Sequence, residues 1–316
     1  MTSEPAVAVV LVHWNQPERC ATAVEAWRAQ TVPVALTVVD NASRPEARAR
    51  LVALLPGGVA VVDAGANLGF GPGANVGLHR FLADPSAGEW VVVAPHDALP
   101  APDCLELMTA VLADRPATGL ACADVGDGHV PIVDPYFGGM MVPVAAGALP
   151  WAVAPADRAG VPASAPPRRQ VEARWEPAGY PHGTLLLARR ACLEAVGTFD
   201  ERYFSYCEEA DLGERARRAG WDVAIVRGAE VRNPHMGSGA GVSDYLMLRN
   251  TLLFVREHFG RYHATVRAAL ALADLARGLL RPATRPWIFV PAARLRALAD
   301  AARGRFGPPP PGLGGG

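Results

Sequence analysis

The sequence predicts an α/β protein, a sheet of parallel strands flanked by helices, with a helical extension at the C-terminus. Three observations lead there. The first 125 residues alternate short apolar runs with helix-length stretches, the pattern of successive βα units. With 316 residues, half of them hydrophobic, 19% charged and a mean hydropathy of +0.13, the chain can bury a large core without disulfide or metal staples and is not a disordered one. Charge is also divided: residues 261–305 hold nine arginines against Asp274 and Asp300, a net +7, while residues 1–260 hold 21 arginines against 29 acids, a net −8.

In chain order, the apolar runs predict strands over 7–14, 35–39, 59–63 and 90–94, alternating with helices over 20–30, 45–55, 73–82 and 103–112. Between residues 126 and 181 the periodicity gives way to Gly, Pro and Ala with scattered aromatics, among them Tyr136, Phe137, Trp151 and Trp175; a ligand-facing lobe fits better than a plain surface excursion. Beyond residue 260, Arg267, Asp274, Arg277 and Arg281 recur near the helical period while Val266, Leu270, Ala273 and Leu280 take another face, which predicts an amphipathic helix. Arg285-Pro286-Trp287 interrupts it, a second short helix is expected over 292–302, and the Pro/Gly end, 308–316, reads as disordered.

Composition removes several classes of chemistry. All 30 cations are arginine. Without lysine there is no Walker lysine, no Schiff base and no pyridoxal-phosphate linkage. The five cysteines form no C-x-x-C pair, so neither a zinc knuckle nor a disulfide framework is indicated, and a reducing cytoplasm fits best. No basic n-region precedes the first apolar run, and no stretch approaches the roughly 20 apolar residues of a spanning helix. The basic, amphipathic tail predicts peripheral attachment to anionic lipid at the inner membrane face; packing on the body of the protein or on a second copy, a homodimer, is the equal rival. Nucleic acid is not an expected partner, because the body is acidic and the basic segment lacks interleaved aromatics.

In α/β sheets ligands bind beyond the carboxyl ends of the strands, so the residues following each strand are the candidates. After the first strand stand His13, Trp14 and Asn15; after the second, Asp40, Asn41, Ala42 and Ser43. An aromatic ring at one strand end and a carboxylate at its neighbour suit a nucleobase, the ring stacking and the carboxylate accepting an imide N–H or a ribose hydroxyl, although Asp40 taken singly serves as well in a turn. The third strand is followed by Asn67-Leu68-Gly69-Phe70-Gly71-Pro72-Gly73-Ala74-Asn75-Val76-Gly77. Its position and spacing exclude the dinucleotide-binding turn. The glycines permit close backbone approach to a ligand, and Asn67 and Asn75 bring amides to a ribose or phosphate edge; a tight loop opening a helix is the equal alternative. After the fourth strand, His96-Asp97 supplies the oxygen donor that Mg²⁺ or Mn²⁺ favours when bridging phosphates.

Further on, residues 199–212 place Asp200, Glu201, Glu208, Glu209 and Asp211 among aromatics at the start of a helix. Such acids complement the helix dipole, or, beside an apolar wall that raises a pKa, provide a general base. Asn233-Pro234-His235-Met236-Gly237 puts a histidine in a Gly-rich loop.

Taken in order, Trp14-Asn15, Val39 to Ser43, Asn67 to Phe70 with Asn75 and Gly77, Pro95-His96-Asp97, Gly183 to Arg190, Phe199-Asp200-Glu201, Glu208-Glu209-x-Asp211-Leu212 and His235-x-Gly237 resemble the motifs of family 2 glycosyltransferases, more narrowly their rhamnosyltransferase-like branch, across roughly residues 7–260. The pair Arg249-Asn250 and the ending Gly304-Arg305-Phe306-Gly307 are similar to that branch as well. The resemblance implies a GT-A fold, a Rossmann-like mixed sheet flanked by helices, with a C-terminal helical extension. It implies residues 1–260 as the GT-A domain, divided into a nucleotide-sugar-binding half (1–125), an irregular acceptor-side insertion (126–181) and a catalytic half (182–260), then the basic tail (261–307). Its activity is the inverting transfer of a sugar, a deoxysugar such as rhamnose among the candidates, from a dTDP- or UDP-sugar to the hydroxyl of a glycan, a lipid-linked intermediate or a natural product. Asp40 matches the base-reading carboxylate, Asp97 the last acid of the metal-binding element for Mg²⁺ or Mn²⁺, His235 the distal metal or diphosphate contact, and Glu209 the base, with Glu208 and Asp211 as its rivals. Trp14, Asn15, Asn41, Asn67, Gly69, Asn75 and His96 complete the expected donor site. The family commonly shows a second acid where His96 stands and Asp where Glu209 stands; a non-catalytic nucleotide-sugar-binding subunit is therefore the alternative.

Overall fold

Valine-rich runs become strands where both of their faces can be covered. In β1 (Val7–His13), Val9 and Leu11 point into one apolar cluster with Trp27, Leu51, Leu105 and Met108, while Val10 and Val12 point into another with Leu78, Phe81, Val91 and Val93. The structure is a computed structural model that describes residues 7–143, 172–233, 239–286 and 288–313. It divides into two compact units, residues 1–127 with 172–236 and residues 128–171 with 237–316.

The first unit continues with α1 (Pro17–Arg28), β2 (Val34–Asp40), α2 (Pro45–Leu54), β3 (Ala60–Asp63), α3 (Phe70–Ala83), β4 (Trp90–Pro95), β5 (Leu99–Pro100), α4 (Cys104–Ala113) and β6 (Thr118–Asp124). Proline opens α1 and α2 at the first helical position, where its missing N–H costs nothing, and Glu18 and Glu46 complement the helix dipoles. Cys20, Ala23, Val24 and Trp27 give α1 its buried stripe. These elements lie within a few residues of the spans expected from the periodicity.

The second unit opens with a hairpin, β7 (His129–Asp134) and β8 (Gly138–Pro143). The Asp134 carboxylate closes its turn by accepting the N–H groups of Tyr136 and Phe137 at 2.7 and 2.9 Å. The chain then returns to the first unit with β9 (Arg174–Pro177), β10 (Leu186–Arg189), α5 (Arg190–Val196), α6 (Glu208–Arg218) and β11 (Asp222–Arg232). The stretch 126–181, expected to be irregular, thus holds three short strands whose alternation is hidden by Gly and Pro; residues 144–171, with Trp151, lie outside the described ones.

The first unit's sheet runs β3-β2-β1-β4-β10-β6-β11-β5, with β9 on β11. It is mixed: β1 to β4 pair in parallel, and β10 enters antiparallel between β4 and β6. One apolar cluster lies under α1, α2 and α4, the other under α3, α5 and α6.

In the second unit α7 (Ala240–Leu280) bends at Gly260, whose φ of 90° and ψ of 174° are not helical, and α8 (Pro291–Ala302) follows a 3-10 turn at Pro282–Thr284. Arg249, 1% exposed, explains its kinship with the chain end: its guanidinium donates to the Gly307 carbonyl at 2.7 Å and to the Tyr245 hydroxyl at 3.3 Å, and Tyr245 donates to Asp300 at 3.0 Å. Residues 308–313, read as the beginning of a disordered end, are described as bends and turns.

Candidate active site

Parallel pairing sets His13 of β1 against Asp40 of β2. Neither has exposed surface. The His13 Nε2 accepts the Gln16 N–H at 3.2 Å, so its Nδ1–H donates to Asp40 Oδ1 at 3.1 Å; burial holds the imidazole below its usual pKa, hence neutral. Asp40 Oδ2 has no hydrogen bond among the described residues, and Arg48 stands 3.8 Å away. The sequence placed Asp40 in direct contact with a base; in the structure it has no exposed surface, with Oδ1 on His13 and Oδ2 toward Arg48. Trp14, the next residue after His13, is 47% exposed. Asn15 turns the chain at φ 54°, and its Oδ1 accepts the Arg44 N–H at 2.8 Å, binding together the loops after β1 and β2.

The fourth strand end approaches from the other side of β1, where Val12 pairs with Pro95. His96 donates from Nδ1 to the Val12 carbonyl at 3.1 Å, and its ring meets that of His13 edge-on at 5.4 Å. Asp97 is 8% exposed and takes no hydrogen bond from a described residue. Cys20 on α1 senses both carboxylates: its thiol is pushed up to about 12 by burial first and then by the charges of Asp40 and Asp97. An acid with free oxygens beside a strand end fits a hard divalent cation, which takes one or two carboxylates and completes its shell with phosphate oxygens and water. Among the described residues no group of three or more His, Cys, Asp or Glu forms a metal cage. His235, the other expected ligand, lies outside the described residues.

The Gly-rich segment joins these strand ends to the acidic turn. Asn41 donates to the Gly69 carbonyl at 2.8 Å and to Asn67 Oδ1 at 3.1 Å, and accepts the Leu68 N–H at 2.9 Å. Gly69, at φ 89°, lies so near the Phe204 carbonyl that a Cβ would sit 2.0 Å from its oxygen, and Phe70 N–H donates to that same oxygen at 2.7 Å. Asn75 accepts the Phe199 N–H at 3.0 Å and donates to the Phe199 carbonyl at 2.9 Å. Of the two amides expected to face a ribose or phosphate, Asn75 is turned inward, 3% exposed, and with the equally buried Asn41 holds the two loops together, while Asn67 is exposed.

That acidic turn carries backbone strain, with Phe204, Tyr206 and Cys207 at φ 64°, 70° and 72°. It delivers three acids into the first turn of α6. Glu208 is 1% exposed against Gly71 and Phe199; burial first, and then the charge of Glu209, push its carboxyl well above the ordinary range, and its Oε2 has no partner among the described residues. Glu209 is half-buried, its pKa raised to about 7 by burial against the opposing pull of N–H donors from its own residue and from Gly183. Asp211 is otherwise engaged: Arg215 donates to it at 2.8 Å while also donating to the Val196 and Thr198 carbonyls, a clamp on the turn. Sequence reasoning gave no role to His13 or Arg215, and none singly to Gly183; the equal placement of His13 and Asp40 at paired strand ends was the one available signal.

A mixed, helix-flanked sheet in this strand order is that of the GT-A fold. Two solved structures share that fold. The mannosyltransferase PcManGT from Pyrobaculum calidifontis, in complex with GDP-Man and Mn²⁺, is similar with a TM-score of 0.53 and 18% identity, covering 95% of this chain and 88% of that one. GalNAc-T7, with UDP, GalNAc and Mn²⁺, is similar with a TM-score of 0.55 and 14% identity, covering 81% of this chain and 48% of that one. The chain belongs to the glycosyltransferase like family 2, whose family model matches residues 5–251. The N-acetylglucosaminyl-diphospho-decaprenol L-rhamnosyltransferase of Mycobacterium tuberculosis (strain H37Rv) is 28% identical over 270 residues, 80% of this chain and 87% of the relative.

Proposed function

We propose that this glycosyltransferase moves a sugar, a deoxysugar such as rhamnose first among candidates, from a dTDP- or UDP-sugar to an acceptor hydroxyl with inversion, and that Glu209 is the base. The observation that carries the proposal is Glu209 itself: a half-buried carboxyl with a pKa of about 7, at a helix start joined through the Gly-rich loop to the strand ends. A base titrating near working pH is ionised often enough to accept a proton and basic enough to hold it. Glu209 takes the hydroxyl proton as the acceptor oxygen bonds to the anomeric carbon, and the bond from that carbon to the diphosphate oxygen breaks, its electron pair leaving with the diphosphate. Trp14 offers the stacking face for the base, and Asp40 fixes the ring of the neighbouring His13. Asp97 is the residue that would hold Mg²⁺ or Mn²⁺, and a cation bound there neutralises charge on the departing diphosphate. Burial and the charge of Glu209 push Glu208 toward its protonated form, so Glu209 is the more readily ionised of the pair.

The name of the mycobacterial relative supports a lipid-linked diphosphate acceptor, and the second half of α7 supports contact with a membrane surface at its cytoplasmic face. Leu272, Leu279 and Leu280 are 51%, 52% and 82% exposed there, beside exposed Arg277 and Arg281, while no helix among the described residues is long and apolar enough to cross a bilayer. Sedimentation with phosphatidylglycerol vesicles at low salt, lost at high salt, is expected; absence of binding at either, with a dimer in size-exclusion chromatography, transfers the face to a second copy.

The decisive assay presents dTDP- and UDP-sugars with a polyprenyl-diphosphate-linked sugar, with and without EDTA, and reads the anomeric configuration of the product by NMR. Inverted product that disappears with Glu209→Gln while donor binding persists is the expected result. Donor binding without turnover, indifferent to Glu209→Gln, makes the protein a nucleotide-sugar-binding subunit instead.

A further inference from the structure

We propose that Gly183 is the positioning residue of the base: its bare backbone makes room for the Glu209 carboxylate and so fixes where that carboxylate lies. The inference rests on Glu209 being the base.

A Cβ built on Gly183 would lie 2.3 Å from Glu209 Oε1, 3.2 Å from Cδ and 3.3 Å from Cγ. Its three nearest atoms all belong to this one side chain. The backbone at Gly183 does not lie in the left-handed region, so no conformational demand calls for glycine here, only the lack of space. The Gly183 N–H also pulls on the carboxylate, opposing the rise in its pKa that burial causes.

That position is held rigidly. Gly183 leads into β10, which is hydrogen-bonded on both edges, to β4 and to β6. The preceding residue, His182, is 8% exposed and donates from Nε2 to the Ala123 carbonyl of β6 at 2.8 Å. One helical turn beyond Glu209, Gly213 presses on Tyr180, where a Cβ would come within 2.8 Å of the tyrosine Cβ. Segment 180–183 and helix α6 therefore meet at two points a turn apart, so their register is set by packing and the place of the carboxylate is set with it.

Because what an alanine methyl meets is the far end of a flexible side chain, Gly183→Ala should fold and bind donor as the wild type does while swinging the carboxylate aside. We expect kcat to fall about 100-fold with little change in donor KM, the scale of an ångström-sized misplacement. In a Glu209→Asp background, where the carboxylate is withdrawn by one methylene, the same alanine should cost less than about 3-fold, a non-additivity that general destabilisation does not produce. A second readout needs no turnover. In protein carrying ¹³C at glutamate side-chain carboxyls, loss of the N–H pull on the anion should raise the Glu209 pKa by about one unit in Gly183→Ala. An unmoved pKa, or equal losses from the alanine in both backgrounds, overturns the role of Gly183 while leaving the base in place. A moved pKa in a protein that turns over no donor keeps Gly183 and removes the base.

Discussion

Asn75 in the first turns of α3 and Glu208 in the first turn of α6 are both almost wholly buried, 3% and 1% exposed, and both stand at the turn that begins with Phe199. Asn75 has each end of its amide answered by the Phe199 backbone, whereas Glu208 keeps an oxygen with no partner among the described residues. Around Asn75 every polar group that holds the Gly-rich loop is matched. Around Glu208 and Glu209 burial outweighs what the neighbouring N–H groups offer, and both carboxyls are driven toward their protonated forms. Satisfied buried polar groups build a scaffold; unsatisfied ones store free energy that catalysis can use. The Gly-rich loop is thus the frame, and the start of α6 is the element to which the proposed function assigns the chemistry.

Two substitutions test that division most strongly. Glu209→Gln should lower kcat by about 10³-fold, roughly 4 kcal/mol of transition-state stabilisation, without lowering the melting temperature, and the wild-type kcat/KM should rise with pH through about 7 as the base ionises. Loss of stability together with activity would make Glu209 part of the frame. Asn75→Ala should do the reverse, costing about 3 kcal/mol in denaturant unfolding because Phe199 is left with an unmet N–H and carbonyl. A neutral Asn75→Ala would return its amide to the donor site.

How far the sequence revealed this follows from the range of the interactions. The strands and helices are local, and their periodicity placed them within a few residues. The pairing of His13 with Asp40 was within reach, because parallel neighbours of similar length end together. What could not be read was the employment of each polar residue. Asn75 is satisfied by a residue 124 positions away, and Asp211 is claimed by Arg215, which also reaches back to Val196 and Thr198. The antiparallel entry of β10, which brings Gly183 to Glu209, needs the whole sheet. Arg249 likewise looked like a motif shared with relatives until the Gly307 carbonyl, 58 residues on, showed what it holds.

Smaller effects sharpen the comparison. Since the folded-state pKa of Glu208 is raised above its ordinary value of 4.5, the native protein holds a proton that the unfolded chain releases. The stability this group contributes is fully present below pH 4.5 and declines as pH rises toward the folded value. Glu208→Gln abolishes that decline, so it should raise stability more at pH 8 than at pH 4, measured by thermal unfolding at both. A stability difference independent of pH would mean that folding leaves the pKa of this carboxyl unchanged.

The smallest expected effect falls at the other end of the site. Trp14 is 47% exposed, so removing its ring exposes no core, and Trp14→Ala should leave the melting temperature unchanged. If its face carries the nucleobase, the loss of one stacking contact, about 1 kcal/mol, should weaken binding of a nucleoside diphosphate about 5-fold by calorimetry. Trp14→Phe, which keeps a ring, should recover most of that loss. Unaltered affinity in Trp14→Ala would move the base away from the end of β1 and leave the exposed ring to another contact, while the division between a satisfied frame and a strained acidic helix start would stand, because it depends on hydrogen bonds that Trp14 does not make.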